Sequence, residues 1–154
     1  MSRKTPTPAD LRPRPEECNC LAVREAARHV TQFYDRFLAP VGLRTTQFAI
    51  LAKLKGLGPM TINALAGHLV MDRTTLGRNI LPLRRDGLIT VVKGRSDGRS
   101  RQLSLTHAGA KRLHAALKAW AQAQARFETV FGAKRTSELR ALLRAVTTSD
   151  FGAA

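Results

Sequence analysis

Between Thr61 and Thr106 the hydrophobic pattern changes character twice, and that change limits the folds open to the chain. Thr61 opens a short segment, TINALAGHLV, in which Ile62, Leu65, Ala66 and Leu69 recur at helical spacing. A one-residue break at Met71 separates it from Asp72, a residue type that caps helices. Leu76, Ile80 and Leu83 then follow at steps of four and three. Two β-rich runs, 88–93 and 101–105, flank the Gly- and Arg-rich turn GRSDGRS. Helix, short break, helix and hairpin in that order predict a winged helix-turn-helix, mainly α with a small β-hairpin wing.

Helical periodicity continues on either side. Across 20–38, Ala26, Val30, Phe33 and Phe37 form an apolar stripe, closed by Pro40 and Gly42. A helix from Thr45 to about Lys55 carries Phe48, Ile50, Leu51 and Leu54, with Gly56, Gly58 and Pro59 as its stop. After the hairpin, Leu113, Leu117, Trp120, Gln124, Phe127 and Phe131 step by four and three along 107–131. That is a coiled-coil-like seam interrupted once by Gln124 and ended by Gly132. A last helix, about 133–147, presents Leu139, Leu142, Leu143 and Val146.

These terminal helices carry more apolar surface than a compact reader needs. They either cover the reader as its own core or interlock with a second copy, and the homodimer is favoured because one small module rarely grips DNA tightly alone. Two-fold symmetry would set two recognition helices roughly 34–36 Å apart on a palindromic site. The expected layout is a flexible Pro-rich basic arm over 1–17, then one winged-helix domain over 18–154. Within it, 45–106 is the reader, and 18–39 and 107–148 are dimerisation helices.

Charge points to the partner. The chain has 154 residues, with 26 Lys and Arg against 11 Asp and Glu, a formal charge of +15. Such an excess favours polyanions, whose counterions are released on binding. Eight of the cations fall between Asp72 and Arg101, opposed only by Asp72, Asp86 and Asp97. With Leu76, Ile80 and Leu83 turned to the core, Arg73, Thr74, Thr75, Arg78 and Asn79 are left on the exposed, N-terminal face of the second helix. Arg forks onto guanine, Asn pairs with adenine, and Thr meets a thymine methyl or a phosphate. Pro82, inside the helix, removes one backbone donor and predicts a kink or loosened turn.

At the wing, Arg95, Arg99 and Arg101 are expected to reach DNA, the first two as a fingertip in a narrow minor groove. Asp97 is assigned to capping the turn or bracing Arg101. The plain alternative for each of these groups is a solvated surface charge.

Other classes fit less well. No Gly-rich phosphate loop, zinc-protease His pair or nucleophile elbow is present, which points away from an enzyme and from a cofactor. The N-terminus lacks a signal-peptide core, and no stretch is apolar for long enough to cross a bilayer, so no membrane partner is expected. Two cysteines, Cys18 and Cys20, make no disulfide framework and suit a reducing cytoplasm. A metal-sensing site from Cys18, Cys20 and His29 with His107 or His114 lacks ligand spacing. An RNA- or ribosome-associated winged helix would explain the charge. It would not explain the seam, and it would favour stacking aromatics, which are only 5% of residues.

Taken together, 20–146 resembles the MarR family of transcriptional regulators. The most specific element is Asp97-Gly98-Arg99-Ser100-Arg101 followed by LSLTHAG, similar to the family's Asp-x-Arg, apolar strand and Leu-Thr-x-x-Gly. Also similar are LAPVGLRTTQFAILAKL (38–54), the Asp72-Arg73-Thr74-Thr75 helix start and LRRDGLI (83–89). The resemblance implies an obligate winged-helix homodimer that usually represses, releasing DNA on binding a small effector or on oxidation. The effector pocket of the family tends to lie between the dimer helices and the reader, where Tyr34, Phe37 and Phe48 read first as ordinary core.

Cys20, fourteen residues before Tyr34, matches a spacing in the hydroperoxide-sensing OhrR branch. Two further tyrosines of that branch align here with Arg24 and Thr45. A thiol near a helix N-terminus with Arg24 one turn on is biased toward thiolate, against which Glu16 and Glu17 act. Cys18 is a candidate to resolve an oxidised Cys20 between subunits. Both cysteines also fit as small apolar fillers beside a dimer interface.

Overall fold

A computed structural model describes residues 14–95 and 98–152. Most of the Pro-rich arm, and Asp97 at the wing tip, lie outside the described residues. The chain divides into two compact units, Met1–Phe33 and Tyr34–Ala154, with the boundary inside helix α1, Asn19–Leu38.

In the first unit a 3-10 turn, Pro15–Glu17, precedes α1. The Leu21 amide donates to Cys18 Sγ at 3.4 Å, so sulfur sits where an N-cap oxygen would. Val23 and Ala26 of the predicted stripe region are exposed in this chain.

The second unit runs from the end of α1 through a 3-10 turn, Ala39–Val41, to α2 (Thr45–Leu57), α3 (Ile62–Leu69) and α4 (Arg73–Arg85). The hairpin β1 (Ile89–Lys93) and β2 (Arg101–Leu105) follows, then α5 (His107–Phe131) and α6 (Ala133–Thr148). The helix starts are chemical. The Thr61 hydroxyl accepts from the Ala64 amide at 3.2 Å, and that of Thr106 from Gly109 at 3.0 Å. The start of α2 is capped from a distance: both the amide and the hydroxyl of Thr45 donate to Asp35 Oδ1, each at 2.7 Å. α2 passes through Gly56 rather than stopping there. A glycine inside a helix costs only about 1 kcal/mol, whereas Gly58, at φ +83°, leaves helical space altogether.

The core lies among α2, α3, α4 and the hairpin, with Ile50, Leu51, Leu65, Leu76 and Leu83 almost wholly buried. β1 and β2 pair antiparallel from Ile89↔Leu105 to Lys93↔Arg101. Met60 adds a bridge to Leu103, with amide–carbonyl distances of 3.1 and 2.7 Å, and so ties the loop before α3 to the wing. Ile89 and Leu103 enter the core, while the alternate positions Thr90 and Val92 are exposed.

α5 is locked to this body at its first turn. The Thr106 hydroxyl donates to the Gly87 carbonyl at 2.7 Å, and the Thr106 amide to Leu88 at 3.1 Å. A Cβ on Gly109 would stand 2.0 Å from the Leu88 carbonyl oxygen, so only glycine lets α5 approach this closely. The row of α5 that turns inward is Gly109, Leu113, Ala116 and Ala123. Of the predicted seam, Leu113 alone is buried; Leu117 and Trp120 are exposed, and Gln124, Phe127 and Phe131 are half-buried.

Candidate nucleic-acid interface

The turn between α3 and α4 is three residues long, Val70 to Asp72, not one. The Met71 amide donates to Ala66 O at 2.9 Å, and Val70 sits in the left-handed region at φ +50°. A β-branched residue there carries backbone strain, and it serves to reverse the chain tightly.

Asp72 then accepts from the Thr75 amide at 2.8 Å and caps α4. Hydrogen bonding from the Thr75 side chain and backbone holds the Asp72 carboxyl below its ordinary value. With Leu76, Ile80 and Leu83 buried, Arg73, Thr74, Thr75 and Arg78 project into solvent. Asn79 differs from its expected place: it is half-buried, and its amide nitrogen donates back to the Thr75 carbonyl at 2.9 Å. Among the described residues no carboxylate lies within ion-pair distance of Arg73, Arg78 or Arg84, whereas Arg85 meets Asp86 at 3.2 Å. α4 continues as one helix through Pro82 to Arg85.

Arg95, Arg99 and Arg101 are all exposed on the wing. The Gly94 amide donates to Ser100 O at 2.9 Å and closes the base of the tip. Lys93 stands directly opposite Arg101 across the ladder, a like-charge pair that disfavours the hairpin by itself. The proposed brace from Asp97 to Arg101 lies outside the described residues.

Cys18 and Cys20 are free, exposed thiols. Tyr34 is half-buried in the second unit, and its hydroxyl donates to Gln124 Oε1. Its ring lies 6.4 Å from that of Phe127, which in turn lies 5.5 Å from Phe131. Burial raises the phenol above its ordinary value; Arg140 opposes that shift and Glu128 adds to it. Gln124, on sequence alone a fault in an apolar seam, is thus a hydrogen-bond partner that only the fold brings to Tyr34. Phe48 stacks on Trp120 at 6.2 Å, joining α2 to α5.

Two clefts open on the second unit. One, of about 300 Å³, lies between the end of α2, β2 and the first turn of α5, lined in part by Lys55, Pro59, Ser104 and His107. The other, of about 330 Å³, lies at the α1–α2 corner beside Asp35, Leu43, Arg44 and Gln47. Among the described residues no three His, Cys, Asp or Glu side chains gather as a metal site would require, and no helix is long and apolar enough to cross a membrane.

The sequence pattern of the MarR family matches residues 43–100, the second helix to the wing tip. No curated protein sequence matches the chain. Among solved structures, the transcriptional regulator MosR of M. tuberculosis is 34% identical, with a TM-score of 0.73 over 88% of this chain and 100% of that one. MosR in complex with DNA is 37% identical, with a TM-score of 0.71 over 85% and 97%. The transcriptional repressor CouR bound to p-coumaroyl-CoA is 26% identical, with a TM-score of 0.75 over 87% and 94%.

Proposed function

The chain belongs to the MarR family of winged-helix transcription regulators, and from that premise we propose that it is a homodimeric repressor of a palindromic operator, released by a small ligand or by oxidation of Cys20. The observation that carries this reading is the face of α4. Four polar side chains, Arg73, Thr74, Thr75 and Arg78, are held outward by a buried Leu76–Ile80–Leu83 row, with no acidic partner on either Arg among the described residues. An uncompensated cationic face on a capped helix is what a major groove receives. Arg73 and Arg78 are assigned to base edges or phosphates, and Thr74 and Thr75 to phosphate or a thymine methyl. Asn79 has one amide N–H engaged by Thr75 O, which leaves its second N–H and its Oδ1 for adenine. Arg95, Arg99 and Arg101 follow the adjacent minor groove.

The dimer is supported by apolar side chains that the chain leaves uncovered on α5 and α6, among them Leu117, Trp120, Leu142, Leu143 and Val146. A small-ligand signal is supported by CouR, a relative bound to p-coumaroyl-CoA. An oxidative signal is supported by the exposure of both thiols at the start of α1. In that branch peroxide converts the Cys20 thiolate to a sulfenic acid, and the partner's Cys18 thiol condenses with it to a disulfide and water. A reducing cytoplasm is the setting in which such a thiol pair reports oxidation.

The test is a peroxide titration of purified protein on duplex DNA from its own upstream region. Wild type is expected to bind as a dimer and release under mild peroxide, and Cys20→Ser to stay bound. Equal release from both proteins ends the thiol branch and leaves the ligand branch. A monomer with no preference among duplex sequences ends the whole reading.

A further inference from the structure

His107, Lys111, His114 and Lys118 follow one another along α5 at steps of four, three and four, which places them on one side of the helix, and all four are exposed. We propose that this stripe is a second phosphate-binding surface, gripping the operator's flanking duplex beyond the wing. The inference rests on the DNA-binding reading above.

A solvated surface helix ordinarily interleaves its signs, because opposite charges three or four residues apart stabilise it and like charges destabilise it. From His107 to Phe127 there is no Asp or Glu at all. The first turns of α5 are also the positive end of its dipole, where cations are disfavoured. The stripe thus has no acidic group within a turn on its own helix to neutralise Lys111 and Lys118, and on the hairpin a bound polyanion removes the repulsion between Lys93 and Arg101.

Position links the stripe to the reader. His107 shares the 300 Å³ cleft with Lys55 of α2 and Ser104 of β2, and none of the residues lining it is acidic. Ser104 pairs with Thr90, on the wing face opposite the buried Ile89 and Leu103. That inner face packs toward α2 and α4, so Ser104 on the outer wing face borders the cleft with Lys55 and His107, and the stripe leads away from that cleft along α5. From His107 to Lys118 the helix rises about 16 Å, the axial length of about five phosphates on one strand. The side chains flanking the stripe are mostly small or polar, Ala110, Ala115, Ala121 and Gln122, with Leu117 of the proposed dimer surface at one edge. Protein interfaces gain their affinity from buried aromatic and Arg anchors, which this face lacks.

The experiment compares wild type, Lys111→Ala/Lys118→Ala and Lys111→Arg/Lys118→Arg. Each is measured across a salt series on the shortest upstream duplex the wild type holds and on the same duplex extended by one helical turn at each end. Wild type and the Arg variant are expected to bind the extended duplex about tenfold more tightly at low salt, with a salt slope steeper by about 0.9 per added contact. The Ala variant loses that gain while binding the short duplex unchanged. A wild type indifferent to the extension, or an Ala variant that keeps the full gain, overturns the proposal and leaves the DNA-binding reading standing. Absence of binding to any duplex overturns both. If polyglutamate separates wild type from the Ala variant and flanking duplex does not, the surface belongs to an acidic protein and the assignment to DNA fails.

Discussion

The reader and the two C-terminal helices use the same residue types to opposite ends. In the reader, Leu65, Leu76 and Leu83 are buried to within 1% of completely, and the apolar side of α4 is finished by its own chain. In α6, Leu142 is 66% exposed and Val146 46%, although both recur at helical spacing as regularly as the core leucines do. Apolar periodicity therefore says that a face will be covered, but not by what. The closed region has its chemistry on the outside as charge; the open region has it on the outside as hydrophobic area, which a second subunit covers in the dimer proposed above.

The sharpest way to break this contrast is one truncation in each region. Leu76→Ala is expected to lower the stability of the fold by about 2–5 kcal/mol, since a fully buried leucine leaves a cavity. Leu142→Ala is expected to leave the stability of the isolated chain nearly unchanged and to weaken self-association instead. Denaturant unfolding and sedimentation of both variants check this, and equal unfolding losses would mean that α6 is completed within one chain.

Gly109 is where the two regions meet, and it is the next most sensitive position. Gly109→Ala forces a methyl carbon against the Leu88 backbone carbonyl, which cannot rotate away as a side chain can. A loss of about 3 kcal/mol is expected, seen as a lowered Tm, together with weaker DNA binding because the wing root shifts with α5. Retention of wild-type Tm would mean that α5 moves freely relative to the wing. A smaller effect belongs to the reading face: Arg78→Ala is expected to cost about 1–3 kcal/mol in operator affinity and to relax base preference at one position. Loss spread evenly over all sequences would make Arg78 a phosphate contact, and no loss would remove it from the interface.

Much of this was legible in the sequence because the relevant signals are local. Thr61, Asp72 and Thr106 cap their helices as their residue types predict, and the wing strands fall where period-two runs end at glycines. Leu-Thr-x-x-Gly was readable as a motif, but its reason, the Thr106 bond to Gly87 and the Gly109 approach to Leu88, exists only in three dimensions. Long-range capping was invisible: nothing in the spacing ties Asp35 to Thr45 or Tyr34 to Gln124. On α5 the spacing shows the four-three row of large residues but not the row of small ones a fraction of a turn away: Ala116 and Ala123 turn inward with Leu113, while Leu117 and Trp120 stay uncovered in the single chain.

The smallest expected effect concerns the cap that begins the reading face, and pH isolates it. The Asp72 carboxyl is held below its ordinary value of 3.8 by hydrogen bonds from Thr75, so its charged form is favoured in the folded chain. Such a group contributes stability that is fully present above the ordinary value and is lost as pH falls through the lowered folded one. Asp72→Ala removes the cap at every pH and is expected to lower Tm by a few degrees at neutrality. Asp72→Asn keeps an oxygen acceptor for the Thr75 amide and is expected to match wild type near pH 7, but with a shallower loss of stability below pH 4. Identical acid profiles for wild type and Asp72→Asn would show that the charge on Asp72 is immaterial. The start of the reading helix would then be held by the tight Val70–Asp72 turn rather than by its cap.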